Sequence, residues 1–290
     1  NKPEGLLMPD DLRAAQQAGG TWSDLFDRGS WANAVPVAAW LLVVEVLFLL
    51  GLPACLWLFR GFPDRGAGLA PMLTLIVVGW LVWLAAVVRL LPFGRLSILL
   101  VLALLAAGSG AALWRWRAAA LAALRSAWLP VLVVHGVFLL AFGLDLWMRS
   151  QNPDLWHPNR GGEKPMDFAY FNAILRSTYM PPYDPWYSGG YLNYYYFGQF
   201  LAAVPTKLTG IVPSVAYNLV IPTLFGCLFA GAFSIGGALV AAVHVPAQRL
   251  GRAALRPVAT LTEWARPWWW LAGFTVAMSV AVAGNLDGGA

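Results

Sequence analysis

Apolar positions along this chain gather in long unbroken runs instead of alternating or recurring singly. Five runs, at 35–59, 70–88, 96–114, 128–147 and 212–243, are long enough to carry a helix across a bilayer. Such a helix takes about 20 mostly apolar residues, because the hydrocarbon core is roughly 30 Å thick and a helix rises about 1.5 Å per residue. A sixth run at 267–282 is shorter, but it opens on Pro267, which suits a helix start, and on Trp268, Trp269 and Trp270, which suit a membrane interface. Pro53 and Pro130 fall within or near span ends, where neighbouring helices can satisfy the freed backbone groups. The segment 193–208 reads differently: it would reach only about 24 Å as a helix, and Gln199, Pro205 and Lys207 interrupt it. Phe197, Leu201, Val204 and Leu208 recur in it at helical spacing, so it is expected to lie on the membrane surface with Tyr194, Tyr195 and Tyr196 at headgroup level.

The pattern therefore predicts an all-α polytopic membrane protein with about six transmembrane helices and interfacial helices in one long loop. Residues 1–34 form a polar N-terminal segment that reads as a linker in a longer chain, 35–127 hold three transmembrane helices, and 128–290 form a module containing the loop 149–211. The abrupt end after GNLDGG reads as a truncation. Within the loop, 159–162 and Pro165 make a turn, Asp167 caps a short helix over 168–176, Pro181 and Pro182 end it, and Gly189 and Gly190 precede the tyrosine helix.

Composition supports the membrane reading, since 59% of the 290 residues are apolar and 11% charged, against about 25% charged in soluble domains. The two cysteines, Cys55 and Cys227, sit inside apolar runs and make neither a disulfide framework nor a zinc site. Nineteen Lys and Arg against fourteen Asp and Glu give a net charge of +5, an excess for which the membrane is the expected partner and nucleic acid is not. Its distribution orients the chain. With six spans, Arg60 and Arg65, then Arg115, Arg117 and Arg125, then Arg249, Arg252, Arg256 and Arg266 all fall on one side, as short inner loops require; a seventh span at 193–208 would break that agreement. The expected placement is thus a multi-pass protein of the cell membrane, with the N-terminal segment, the loop 149–211 and the terminal GNLDGG on the outer face.

Candidate chemistry concentrates in that loop, whose length exceeds the common connection of about 4 to 6 residues. Glu163, Lys164 and Asp167 follow a double glycine that lets backbone approach a ligand. Asp167 would be a helix N-cap, or a general base or metal-binding acid beside a phosphate-holding cation. Asp184 and Trp186 read first as a turn with an aromatic anchor, and the three tyrosines first as interface anchors. Asp287 leaves the last span on the same face as Glu163 and Asp167, so acids from distant parts of the chain would meet at one surface, although NLDGG would also serve as a plain turn. Inside the membrane, Glu45, His135 and Asp145 need partners, because a charge at the bilayer centre costs about 2.5–3.5 kcal/mol even on the lenient scale. Interhelical hydrogen bonding with Glu45 protonated is the plain reading, and a proton relay the alternative.

The stretches GGEKPMDFAYFNAILRS, PPYDPW and NYYYFG, with YNL at 217–219, the terminal GNLDG, GGTW and LFD near 19–27, and FPDRG at 62–66, resemble the YYY family of integral membrane proteins, named for a YYYxG motif. A more distant resemblance is to the GT-C superfamily of membrane glycosyltransferases. There, one span leads into a long outer loop with an acidic motif at the start of a short helix, then a Pro- and aromatic-rich stretch, a helix at the membrane surface, two further spans and a second outer acid. This chain departs from that pattern in having no adjacent Asp-Glu pair at Asp167, no Lys-Pro-Pro-Leu stretch where NYYYFG stands, and three extra spans before the module.

By that likeness the module is GT-C-like and the activity is transfer of a sugar from a polyprenyl-phosphate donor to an acceptor on the outer face. Asp167, Glu163 and Asp287 are then the catalytic acids. Lys164, Arg176, Asp184, Trp186, Tyr194, Tyr195 and Tyr196 lie towards the donor, and a divalent metal (Mg or Mn) would fall to Asp167 and Asp287. The implied partners are the lipid bilayer, the polyprenyl-phosphate-linked sugar and further domains of a longer chain. Two other readings stay open: a non-catalytic scaffold or assembly subunit docking through the loop, and a transporter using Glu45 and His135.

Overall fold

The computed structural model describes residues 7–17, 26–153, 164–187, 189–243 and 268–281. Ten α-helices are described: α1 (Asp10–Gln17), α2 (Trp31–Ala34), α3 (Pro36–Leu58), α4 (Ala70–Val87, reached through a 3-10 turn at Ala67–Leu69), α5 (Arg95–Arg115), α6 (Arg117–Gln151), α7 (Lys164–Arg176), α8 (Phe197–Thr209), α9 (Pro213–Val243) and α10 (Trp268–Ala281). Among the described residues there is no strand, only isolated bridges pairing Leu7 with Gly190 and Tyr183 with Tyr191. Five segments are long and apolar enough to cross a membrane: Pro36–Leu58, Ala67–Val87, Arg95–Arg115, Arg117–Gln151 and Pro213–Ala241. The protein is therefore an all-α, multi-pass membrane protein. Leu104, Leu140 and Trp147 are among many large apolar side chains left exposed on these helices, which only hydrocarbon would tolerate in such density.

The expected spans lie inside the observed helices to within a residue or so at most ends. The sixth becomes α10, whose 14 residues reach about 21 Å; the residues on either side of it lie outside those described. The fourth span grows most. α6 has 35 residues, about 52 Å of helix, because the segment expected to be an inner loop continues as helix. Trp128 and Trp147 bracket a stretch of it about 28 Å long, the thickness of a hydrocarbon core, so residues 117–127 extend past the Trp128 level.

The chain divides into two compact units, one of Asn1–Val44, Leu75–Leu105 and Ser150–Val220, the other of Glu45–Thr74, Ala106–Arg149 and Ile221–Ala290. The first is tied by buried amides. Gln16 of α1 donates to the carbonyls of Tyr179 and Pro181 and accepts from the N–H groups of Thr178 and Tyr179, so the segment read as a linker carries a helix docked on the loop that follows α7. Asn33 of α2 donates to the Gly210 carbonyl and accepts from the Val212 N–H, fastening the α8–α9 turn.

The second unit is held by a buried carboxylate and by close helix packing. Asp64, 1% exposed, accepts from the N–H groups of Gly66 and Gly68 at the start of the turn into α4 and from the Ser234 hydroxyl of α9 at 2.6 Å. Burial pushes its carboxyl above the usual range, and those three donors pull it back. Gly68 lies so near α9 that a Cβ there would collide with Ser234 Oγ and meet the Ala230 carbonyl oxygen at 2.5 Å. On α9 and α10, Gly236 and Gly273 bring the backbones together, and Phe233 meets Trp269 edge-on at 5.7 Å.

Gly68→Ala is accordingly expected to lower stability by about 1–3 kcal/mol, whereas Gly136→Ala in α6, where a Cβ meets nothing within 4 Å, is expected to leave it unchanged. Thermal unfolding of the two detergent-solubilised variants checks this, and equal midpoints would show that the α4–α9 approach is not tight.

Candidate functional site

The loop residues singled out in the sequence converge on α7 and α8 in the first unit. α7 begins at Lys164, earlier than the expected 168, which puts Asp167 inside the first helical turn and not at the N-cap. A carboxylate there is favoured by the positive end of the helix dipole. Asp167 is half-buried, and its Oδ1 accepts a hydrogen bond from Gln199 Nε2 of α8 at 3.3 Å. The helix ends at Arg176, where the sequence placed its end. Its first residue beyond, Ser177, is fully buried, donating its hydroxyl to the Ala173 carbonyl and accepting the Tyr183 N–H.

Three sets of contacts position α7. Phe168 and Phe171 both meet Tyr217 of α9 edge-on, at 5.6 and 5.8 Å between centroids, so the YNL stretch braces the face next to Asp167. Asn218, the next residue, donates to the Pro153 and Ser214 carbonyls. At the far end, Lys207 of α8 points its ammonium at the carbonyls of Phe93 and Ser177 and lies 4.0 Å from the Phe93 ring centroid. The Phe93 N–H in turn donates to the Thr178 carbonyl at 2.7 Å. A cation over the C-terminal carbonyls of a helix is favourable by dipole and by cation–π attraction.

α8 begins at Phe197, so the three tyrosines precede it in a bend, and the structure gives them two roles. Tyr196 turns inward, its hydroxyl accepting from Trp83 Nε1 at 2.9 Å; burial pushes its pKa up against that hydrogen bond. Tyr194 and Tyr195 remain 53% and 55% exposed with ring centroids 3.9 Å apart, and Tyr194 reaches Tyr170 of α7 at 6.4 Å. Tyr170 stands three residues after Asp167, on the same helical face. The buried residues of α8 are Phe200, Ala203, Val204, Pro205 and Thr206, so of the stripe expected to meet lipid only Val204 is buried, with Phe197, Leu201 and Leu208 half-buried. Phe197 packs on Trp83, Phe200 on Phe93, and Leu201 against Gly79, which seats α8 across the last turns of α4 and the α4–α5 turn. Its 13 residues, about 20 Å, are too few to cross a membrane alone.

The remaining candidates separate. Lys164 lies one turn before Asp167, while Arg176 lies nine residues after it, about 13 Å along the axis. Asp184 accepts from the N–H groups of Trp186 and Tyr187, the expected turn, with Trp186 67% exposed. Glu163 and Asp287 lie outside the described residues. Asp167 and Gln199 alone fall short of the near-octahedral oxygen shell that magnesium demands, and no cluster of three His, Cys, Asp or Glu is found among the described residues. The metal expectation thus rests on Asp287.

In the second unit, the structure brings together two candidates the sequence named inside the membrane. His135 Nε2 of α6 lies 3.1 Å from Glu45 Oε1 of α3, with Phe48 4.9 Å from the imidazole. Sequence reasoning named both residues, and missed the parts played by Gln199, Lys207, Tyr170 and Tyr217. Lone polar residues in an apolar helix were the available signal for the first two, since a buried amide or ammonium must find partners.

A family model described as Uncharacterized membrane protein (DUF2298) matches residues 77–290. No curated protein and no solved structure matches the chain.

Although Lys207 as a residue is half-buried, its ammonium is enclosed, and burial pushes its pKa down to about 7 from 10.5. Between those values the unfolded chain holds one proton more than the native state, so native stability should rise with pH from about 7 to 10.5 and be flat below. The slope is about 1.4 kcal/mol per pH unit. Lys207→Met should remove it in thermal unfolding measured across that range; identical slopes in both proteins would mean that Lys207 titrates as an ordinary surface lysine.

Proposed function

Because the chain belongs to the family of uncharacterized membrane proteins (DUF2298), whose activity has to be argued from the site, we propose that it is a membrane glycosyltransferase acting on a polyprenyl-phosphate-linked sugar, with the loop 149–211 on the outer face. The observation that carries this reading is the placement of Asp167. A half-buried carboxylate, held by Gln199, shares a helical face with Tyr170, whose ring adjoins the exposed Tyr194 and Tyr195 pair. Pyranose rings lay their C–H faces on such aromatic surfaces, and a carboxylate beside them is placed to meet a hydroxyl. The order of elements shared with the GT-C superfamily, from the fourth span through α7 and α8 to two further spans, supports the same reading.

In this mechanism Asp167 takes the proton of the acceptor hydroxyl as its oxygen attacks the anomeric carbon. The bond from that carbon to the phosphate oxygen breaks on the opposite face, inverting the centre, and its electron pair leaves with the polyprenyl phosphate. Lys164, one turn from Asp167, offsets the charge on the departing phosphate; Arg176 is too far along α7 to share that work. Gln199 fixes the carboxylate, and Tyr196 with Trp83 anchors the bend that presents the other two tyrosines. By the same likeness Glu163 and Asp287 are the further candidate acids.

Asp167→Asn should reduce sugar transfer by about 10²–10⁴-fold, the usual contribution of a general base, with abundance and membrane insertion unchanged. Transfer from polyprenyl-phosphate sugars in isolated membranes is the measurement, and full activity would remove Asp167 from the mechanism.

A second reading, proton-coupled transport, is favoured by the Glu45–His135 pair, two ionisable side chains 3.1 Å apart within spans. It expects Glu45→Gln to abolish proton flux into proteoliposomes; unchanged flux would leave the pair as an interhelical tie.

A further inference from the structure

The second unit carries a basic, aromatic end that the proposed transfer does not use. Ser109 of α5 donates its hydroxyl to the Leu50 carbonyl of α3 at 2.9 Å, which sets the register of the two helices. Counting from that bond, Trp57 lies about 10 Å and Trp114 about 8 Å further on towards the helix ends, so the two tryptophans reach nearly the same level. Each carries an arginine: the Arg60 guanidinium is 5.4 Å from the Trp57 ring centroid, and that of Arg117 is 5.7 Å from Trp114. Trp57, Trp114, Trp116 and Trp128 are all at least half exposed.

Among the described residues, the exposed charge at this end is of one sign. Arg60, Arg115, Arg117 and Arg125 are exposed, and among the described residues none pairs with a carboxylate. The nearest acid in the sequence, Asp64, is buried and its carboxylate is occupied by Gly66, Gly68 and Ser234. Arg65 is buried as well, donating to the Arg60 carbonyl, and burial together with the Arg60 charge lowers its pKa. Like charges held this close repel one another, and an anion between them relieves the repulsion. The first three turns of α6, which run beyond Trp128, add Arg117 and Arg125 where phosphate groups of a bilayer lie.

We infer that the ends of α3 and α5, with the first turns of α6, form a binding face for the phosphates of anionic phospholipid headgroups. The guanidinium forks take phosphate oxygens two at a time, which an ammonium cannot do, while the tryptophans on which two of them lie hold those forks at headgroup depth. Each arginine near an anionic surface contributes about a fivefold gain in affinity, so the four exposed arginines together favour anionic over zwitterionic lipid strongly.

The test uses the full chain in nanodiscs of phosphatidylcholine with or without phosphatidylglycerol, followed by detergent extraction and mass spectrometry of the lipids retained. Wild type should enrich phosphatidylglycerol over phosphatidylcholine. Arg60→Gln, Arg115→Gln, Arg117→Gln and Arg125→Gln combined should cut that enrichment by about tenfold or more. The pair Arg60→Gln and Arg117→Gln, which alters two exposed side chains only, should cut it by a smaller but measurable factor, and it keeps the test decisive if the fourfold variant fails to insert. Equal retention of the two lipids by wild type, undiminished enrichment in the variants, or replacement of the lipid by inorganic phosphate or RNA added in competition would each overturn the proposal.

Discussion

Hydrocarbon offers no partner to a peptide N–H or carbonyl, and the architecture of this chain follows from that single deficiency. Helices satisfy their backbone groups internally, so each long apolar run becomes one helix, and polar side chains within the runs must find partners on the same helix or the next. Thr74 and Thr275 bond back to the carbonyls four residues earlier, and Ser109 reaches across to Leu50. Glu45 and His135 take each other. What holds neighbouring helices together is then close approach at small residues, as at Gly68, Gly236 and Gly273.

The same need governs the segments between spans. Non-helical backbone at Thr178, Tyr179 and Pro181 is satisfied by the amide of Gln16, and Ser177 and Phe93 by the ammonium of Lys207. A loop fastened by buried polar groups from α1 and α8 is rigid enough to present Asp167 and the tyrosines in one arrangement, which catalysis or specific binding demands. Asn33 does the same for the turn between α8 and α9. Stability of the first unit and geometry of the candidate site are therefore one problem. A proton gained or lost at Lys207 acts on both.

The two units use their aromatic residues differently. In the loop, the Tyr196 hydroxyl accepts the Trp83 indole N–H, while Tyr194 and Tyr195 are more than half exposed. At the arginine-rich end, Trp57 and Trp114 lie under guanidinium groups. The first set suits a ligand with apolar C–H faces and hydroxyls, the second a phosphate surface.

The spans were legible in the sequence because hydrophobic length is a local property: about 20 apolar residues specify a crossing helix whatever surrounds them. Local reading also located the short helix ending at Arg176 and the turn at Asp184, but it placed the three tyrosines within the following helix, which starts only at Phe197. Helix ends were less legible. α7 starts at Lys164 instead of 168, taking in Pro165 in a first turn that tolerates proline, and α6 starts at Arg117, where helix propensity acted with no glycine or proline to mark a boundary. Only tertiary structure decided which polar residues meet. Nothing in the spacing of Asp167 and Gln199, of Glu45 and His135, or of Lys207 with Phe93 and Ser177 announces a contact between residues 30 to 114 positions apart. Such contacts depend on how whole helices pack, and a one-residue rotation of α8 would have turned both Gln199 and Lys207 away from their partners.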